Sequence, residues 1–326
     1  MSHVMSKKRC GVSVCEGALD LSLHLFLLCY LVLSSCVLPF TAQAQENSPR
    51  PVISREVDLV VLPVIVKDRN GRFVSGLASK QFQVYEDGQL QEIALFRQED
   101  IPVTVGLVVD HSSSMTAKNP EVLSGALAFV HAGNPQDLEF VVNFSDTVSF
   151  DLPAGAAFTA SMSALQAGIT ARIDSGRTAL YDALTAALRH IQSAPLEKKV
   201  LLLISDGGDN NSQQQFSQVL HMAQTASVAI YAIGLFDSRS ADRNPRILKK
   251  LASDTGGQAY FPHSSAEVVK VCQQIAEDIR HQYTIGYSPN DRERNGYRKL
   301  RISVVAPGQG KMSARTRAGY LLPQHD

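Results

Sequence analysis

Val103-Thr104-Val105-Gly106-Leu107-Val108-Val109-Asp110-His111-Ser112-Ser113-Ser114 is the stretch on which the fold turns. Its first seven residues form a nearly continuous apolar run, as expected of a parallel strand covered on both faces. The run stops at an acid followed by hydroxyls at alternate positions, D-x-S-x-S, which places Asp110, Ser112 and Ser114 just past the strand end. In an open α/β sheet, ligands sit outside the C-terminal ends of the strands. These three residues are therefore expected at a binding edge.

The pattern returns downstream. Lys199-Val200-Leu201-Leu202-Leu203-Ile204 is a second buried run, and it ends in Ser205-Asp206-Gly207-Gly208-Asp209-Asn210. Between the two lies Ser175-Gly176-Arg177-Thr178-Ala179-Leu180, a loop entering a helix. Each piece has a plainer reading. Asp110 and the serines could cap the next helix, as could Thr178, and Asp206-Gly207-Gly208 could be only a turn. Three loops offering carboxylates and hydroxyls at one sheet edge favour a metal site over three unrelated caps. Asp209 and Asn210 read as surface turn residues, His111 as a neighbour of the ligands or an exposed residue, and Asp182 and His190 as structural.

Strand and helix alternate from Ile101 to Gln282. Strands are expected at Val103–Val109, Leu138–Phe144, Lys199–Ile204 and Val228–Ile233, with short ones at Thr147–Leu152 and Ala259–Phe261. Helices are expected at Pro120–His131, Phe158–Ala167, Ala179–Ser193, Gln213–Thr225, Pro245–Thr255 and Ala266–Arg280. This rhythm predicts an α/β fold, a doubly wound and mostly parallel sheet with helices on both faces. The flanks are β. Val57–Val66, Phe82–Tyr85 and Gln91–Phe96 read as short strands separated by the turns Asp68-Arg69-Asn70-Gly71-Arg72 and Glu86-Asp87-Gly88. Tyr283–Tyr287, Lys299–Val305 and Ser313–Ala318 read as strands at the other end, with Arg292-Glu293-Arg294 as a solvated turn. The expected organisation is a leader at 1–44, a tether at 45–54, an N-terminal β-module at 55–100, the α/β domain at 101–282 and C-terminal strands at 283–326. If the last strands complete a small β-sandwich-like module with the first, the α/β domain is an insertion.

The loops carry a resemblance. The chain resembles the von Willebrand factor A (VWFA) family from about Pro102 to Gln282, with its Rossmann-like fold and its metal-ion-dependent adhesion site, or MIDAS. Asp110, Ser112 and Ser114 match the first loop of that site, Thr178 the second and Asp206 the third. The flanks, Val66-Lys67-Asp68 through Glu86-Asp87-Gly88 and Tyr283-Thr284-Ile285-Gly286-Tyr287, are similar to the VWFA-related proteins named after the Acidobacteria. The resemblance implies a divalent cation, Mg²⁺ first with Mn²⁺ or Ca²⁺ as alternatives, held by these five residues. It also implies that Asp110 and Asp206 act through bound water, and that a Glu or Asp of a partner protein takes the open position. Mg²⁺ wants about six oxygen ligands, and neutral hydroxyls leave it electrophilic enough to accept that carboxylate.

Bulk composition narrows the function. With 44% hydrophobic and 19% charged residues the chain has material for a core, and its formal net charge of zero makes nucleic acid a poor partner. Lys7-Lys8-Arg9, the apolar run Leu21–Phe40 and Ala42-Gln43-Ala44 read as a secretory leader cleaved after Ala44. The alternatives are a retained anchor, since the run is nearly long enough to span a bilayer, and lipidation at Cys36 within Leu33-Ser34-Ser35-Cys36. The location implied is exported, whether periplasmic, cell-surface or secreted, with no stable membrane span once the leader is gone. Cleavage removes three positive and two negative charges from 31 of each, leaving −1, and leaves Cys272 as the one cysteine. Cys272 sits in a helical apolar pattern and reads as a buried small hydrophobe.

No G-x-S-x-G elbow is present, and the seven His outside the leader are scattered without HExxH spacing. The expected function is therefore a metal-dependent protein-binding or adhesion module and not an enzyme. An envelope scaffold or assembly factor with a non-exchanging metal is the alternative, and a metal-dependent hydrolase ranks last.

Overall fold

The computed structural model describes residues 59–153, 156–171, 176–236, 243–290, 296–306, 308 and 310–321. The leader, the tether, residues 55–58, Ser175 and the Arg292-Glu293-Arg294 turn lie outside them. Among the described residues no helix is long and apolar enough to cross a membrane.

Along the chain run β1 (Val60–Lys67), β2 (Phe82–Glu86), β3 (Gln89–Gln91), β4 (Ile93–Gln98) and β5 (Val103–Asp110). There follow α1 (Asn119–Ala132), β6 (Leu138–Phe144), β7 (Val148–Phe150), α2 (Met162–Ile169), α3 (Leu180–Gln192) and β8 (Lys198–Ser205). The rest are α4 (Phe216–Thr225), β9 (Ala229–Gly234), α5 (Pro245–Thr255), β10 (Ala259–Tyr260), α6 (Ser265–Arg280), β11 (Tyr283–Tyr287), β12 (Tyr297–Val304), β13 (Ser313–Arg315) and β14 (Gly319–Leu321).

The expected α/β sheet is present, in the order β10-β9-β8-β5-β6-β7. It is parallel except for β7, which pairs antiparallel with β6. All eight residues of β5 are buried because alternate side chains feed two cores. Val105, Leu107 and Val109 pack with Val122, Ala126 and Phe129 of α1 and Cys272 and Ile275 of α6. Val108 packs on the other face with Leu180, Leu184 and Leu188 of α3. Gly106 lacks a side chain because the Phe140 ring and Leu201 fill the space a Cβ would occupy. The chain leaves β5 towards β6 but leaves β8 towards β9, so the connections diverge between β5 and β8. That divergence is the topological switch point where such sheets bind ligands, and the ends of its two strands lead into Asp110 and Asp206.

Two helices start later than their sequence pattern, each for a local reason. Thr159 exchanges backbone hydrogen bonds with Glu139, at 2.7 and 2.8 Å, so α2 begins only after the Ser161 cap. The Gln213 and Gln214 N–H groups donate to the Asp182 carboxylate, which delays α4 to Phe216.

The flanking strands form two antiparallel four-stranded sheets, β13-β1-β11-β4 and β14-β12-β2-β3. They share one core, built from Leu62 and Val64 of β1, Val84 of β2, Tyr283, Ile285 and Tyr287 of β11 and Tyr320 of β14. N- and C-terminal segments therefore pair directly, as in Leu62 opposite Ile285 and Val84 opposite Ile302. Two expectations are corrected. Gln91–Phe96 is not one strand: Gln91 is buried in β3, Glu92 is exposed, and Ile93 opens β4 in the other sheet. Ser313–Ala318 is shortened to β13, which ends at Arg315 and pairs with β1, and the chain then crosses to β14, a strand beyond the expected one, beside β12. The β sheets are tied to the α/β part through Asp278 of α6, a fully buried carboxylate that accepts from Lys67 at 2.7 Å and Arg315 at 2.6 Å.

Candidate functional site

Asp110 is fully buried at the end of β5, and each of its oxygens has a fixed donor. Oδ1 accepts from the Ser112 N–H at 2.9 Å, and Oδ2 accepts from the Ser205 hydroxyl at 2.6 Å. The first bond folds the chain back on itself in an Asx turn. A second turn follows, in which Met115 N–H donates to Ser112 O at 2.9 Å, with the Met115 side chain fully buried beneath. The two turns bring the Ser112 and Ser114 hydroxyls into a hydrogen bond with each other, with the oxygens 3.1 Å apart. Burial pushes the Asp110 carboxyl up to about 6; the hydrogen bonds from Ser112 and Ser205 oppose that and the nearby Asp206 charge adds to it.

Asp206 is buried one residue past β8, and its Oδ1 accepts from Gly208 N–H at 3.0 Å. Gly207 between them has φ +78°, and a Cβ there would strike the Asn244 carbonyl at the start of α5. The turn therefore requires glycine. Asn244 N–H donates to Asp206 O at 3.0 Å, closing the loop onto α5.

Thr178 is buried before α3. Its N–H donates to Asn210 Oδ1 at 2.9 Å, and its carbonyl accepts from the Asn210 and Asn211 N–H groups. Asp209 accepts from the Ser212 hydroxyl and from Tyr181 N–H. Asn210 and Asp209 thus join the second and third loops and are more than the surface turn residues the sequence suggests. The first and second loops meet where Ser113 N–H and hydroxyl reach Gly176 O at 3.0 and 3.2 Å.

His111 is half-buried, with Nε2 3.0 Å from Asn143 Oδ1, and burial lowers its pKa. Asn143 in turn donates to Asp151 at 2.7 Å and to Gly168 O at 2.8 Å. His190 lies among Phe140, Phe150 and Phe158 and meets Ala157 O at 2.8 Å, a structural role as expected.

The donor set fits a hard divalent cation. Two adjacent ligands of an octahedral Mg²⁺ at about 2.1 Å lie about 3.0 Å apart, which matches the Ser112–Ser114 spacing. Among the described residues no group of three or more His, Cys, Asp or Glu side chains converges as a metal site. A cation here would therefore rely on hydroxyls and two carboxylates, a set that suits Mg²⁺ better than a thiophilic or imidazole-seeking metal.

The domain model for the von Willebrand factor type A domain matches residues 104–276, more than half of the chain. The chain belongs to this family. Its solved relatives are remote in sequence. A von Willebrand factor type A protein from Catenulispora acidiphila is 13% identical with a TM-score of 0.50, over 74% of this chain and 73% of that one. Proximal thread matrix protein 1 from the mussel byssus, solved with a zinc-occupied MIDAS motif, is 19% identical with a TM-score of 0.47, over 61% of this chain and 50% of that one. The VWF domain of the pilus tip protein Mfa5 from Porphyromonas gingivalis is 17% identical with a TM-score of 0.43, over 55% and 97%. No curated protein matches the chain.

Ser205 is the residue of this von Willebrand factor A site that the sequence did not single out. It is fully buried, donates to Asp110 and accepts from Gly207 N–H at 2.9 Å, so it braces both carboxylate loops. Ser205→Ala is expected to weaken Mg²⁺ binding about 10- to 100-fold, the usual cost of losing a group that orients a metal ligand. Ser205→Thr should restore most of it. Equal affinity of wild type and Ser205→Ala in a calorimetric titration would remove this bracing role.

Proposed function

We propose that the protein is an exported, metal-dependent binding module that captures an acidic side chain of a partner protein, and that it is not an enzyme. Asp110, Ser112, Ser114, Thr178 and Asp206 hold the cation, with Mg²⁺ favoured. The observation that carries this reading is the pair of Ser112 and Ser114 hydroxyls 3.1 Å apart in front of the pinned Asp110 carboxylate, at the switch point of the sheet. When bound, the cation supplies Lewis acidity to an incoming carboxylate. The chain's own residues do the rest. Ser112, Ser114 and Thr178 offer neutral oxygens, and Asp110 and Asp206 balance the ionic charge. The bonds from Ser205 and Gly208 N–H keep both carboxylates oriented. The His111 ring is engaged by Asn143 rather than poised as a base beside a nucleophile, which supports binding over hydrolysis.

Export rests on the leader pattern at 1–44, and we propose that residues 101–282 are inserted into a β-module closed by the chain's two ends. A one-acid probe peptide, acetyl-Gly-Glu-Gly-Gly-amide, should bind only with Mg²⁺ present. By linkage it should tighten Mg²⁺ affinity by the same factor that Mg²⁺ tightens the peptide's. A peptide affinity unchanged by Mg²⁺ or EDTA would contradict acid capture.

A further inference from the structure

We propose that Arg177 is a second anchor beside the cation, so that the site selects a partner segment carrying two adjacent acidic side chains rather than one. This rests on the acid-capture reading and specifies its partner.

The backbone around Arg177 is pinned on both sides. On one side Gly176 O accepts both the Ser113 N–H and its hydroxyl, which locks the second loop to the first. On the other, Thr178 N–H is held by the Asn210 side chain. The Arg177 N–H itself donates to the Asp146 carboxylate, which also fills the space a side chain on Gly176 would need. Asp146 is fixed from behind by Asn211, whose Nδ2 donates to Asp146 O at 3.0 Å. The residue directly before Thr178 is thus held at its own N–H and at both neighbours, while its own side chain is exposed. Among the described residues no hydrogen bond or ion pair engages the Arg177 guanidinium. Asp146 Oδ1 accepts the Arg177 backbone N–H instead.

The pinned backbone fixes where the Arg177 side chain leaves the loop, directly before Thr178. A guanidinium stays charged at any physiological pH and offers a fork that fits a carboxylate. An exposed ion pair alone contributes little. Once one acid of a partner is on the metal, however, its neighbour meets Arg177 at high effective concentration.

The test uses the whole protein with Mg²⁺ and two probes, acetyl-Gly-Glu-Gly-Gly-amide and acetyl-Gly-Glu-Glu-Gly-amide, titrated by calorimetry. Wild type is expected to bind the two-acid peptide about fivefold tighter, the scale of one exposed ion pair. Arg177→Ala should erase that preference while leaving one-acid peptide binding and Mg²⁺ affinity within about twofold of wild type, and Arg177→Glu should invert the preference. Lys118→Ala removes another cation after the first loop and should leave the preference intact. Equal binding of both peptides by wild type overturns the anchor alone. So does a preference that Lys118→Ala erases as fully as Arg177→Ala, since it would then be general charge attraction. If neither peptide binds the Mg²⁺-loaded protein, acid capture fails and the anchor falls with it.

Discussion

Asp110→Asn is expected to abolish Mg²⁺ binding and, in EDTA at pH 7.5, to raise the melting temperature of the metal-free protein. The two effects have one cause. Asp110 is fully buried, and its folded-state pKa stands at about 6 against 3.8 for an unburied carboxyl. Below pH 3.8 the group is neutral in both folded and unfolded chains and has no effect on stability. Between pH 3.8 and 6 the unfolded chain ionises first and stability falls, and above 6, where the folded carboxyl is ionised too, the cost levels off at about 3 kcal/mol. Asn keeps the shape and the acceptor for Ser112 N–H without the charge. Its metal-free form should therefore gain up to that amount at pH 7.5 and gain little at pH 4. The cation supplies the counter-charge that makes an ionised Asp110 favourable. Saturating Mg²⁺ should accordingly raise the wild-type melting temperature and leave the variant unchanged. Thermal scans at both pH values, with EDTA and with Mg²⁺, check all four combinations. A variant less stable than wild type in EDTA at pH 7.5 would show that Asp110 is a structural hydrogen-bond acceptor first.

Glu86→Ala should have the largest effect on stability. Glu86 of β2 is buried and accepts from Arg298 of β12 at 2.6 Å, from the Tyr320 hydroxyl of β14 at 2.7 Å and from the Tyr287 hydroxyl of β11. Both charges of the ion pair are almost wholly shielded, with side-chain exposures of 2% for Arg298 and 6% for Glu86. Removing the acid takes away the carboxylate that balances a desolvated guanidinium and accepts from two tyrosine hydroxyls. Breaking such a pair costs about 3–5 kcal/mol, and at roughly 2–4 °C per kcal/mol for a large domain the melting temperature should fall by on the order of 10 °C. Replacing both partners, Glu86→Leu with Arg298→Met, should recover much of the loss, since a well-packed apolar pair avoids both desolvation costs. The acid comes from the N-terminal flank and its three partners from the C-terminal flank. A fall under about 1 kcal/mol in chemical denaturation would mean that the two flanks do not share a tightly packed core, contrary to the sheet pairing.

The sequence was legible where one physical constraint dominated. A strand buried on both faces must be apolar throughout, so β5 and β8 stand out, and the acids that end them mark the sheet edge. The β-module was harder. Gln91 and Ile93 are both inward-facing, but into different sheets, and alternation of side chains cannot report that Glu92 lies at a crossover. At the other end, the three residues Gly319–Leu321 of β14 are too few for alternation to mark them as a strand.

In the site, residue type and order put forward the five candidate ligands, whereas the residues that brace their loops carry no such mark. Asn143 reads as an incidental member of an apolar strand and Ser205 as the first residue of the loop after one, although β8 runs through Ser205. The usable signal was the polarity itself: a hydroxyl or amide inside a doubly buried strand must find a partner, and here the partners are Asp110 for Ser205 and His111 for Asn143. Asn210 was visible but undervalued, because its bond to the Thr178 backbone spans 32 residues and nothing local announces it.

The central claim is that three loops form one cation site. The most direct measurement is calorimetric titration of Mg²⁺ and Mn²⁺ into metal-free protein, wild type beside Thr178→Ala, a candidate ligand on a different loop from D-x-S-x-S. The account predicts about one ion bound per wild-type chain and at least tenfold weaker binding in the variant, with the variant's unfolding in EDTA unchanged. Undiminished binding by Thr178→Ala, or no binding by wild type at millimolar metal, would contradict it.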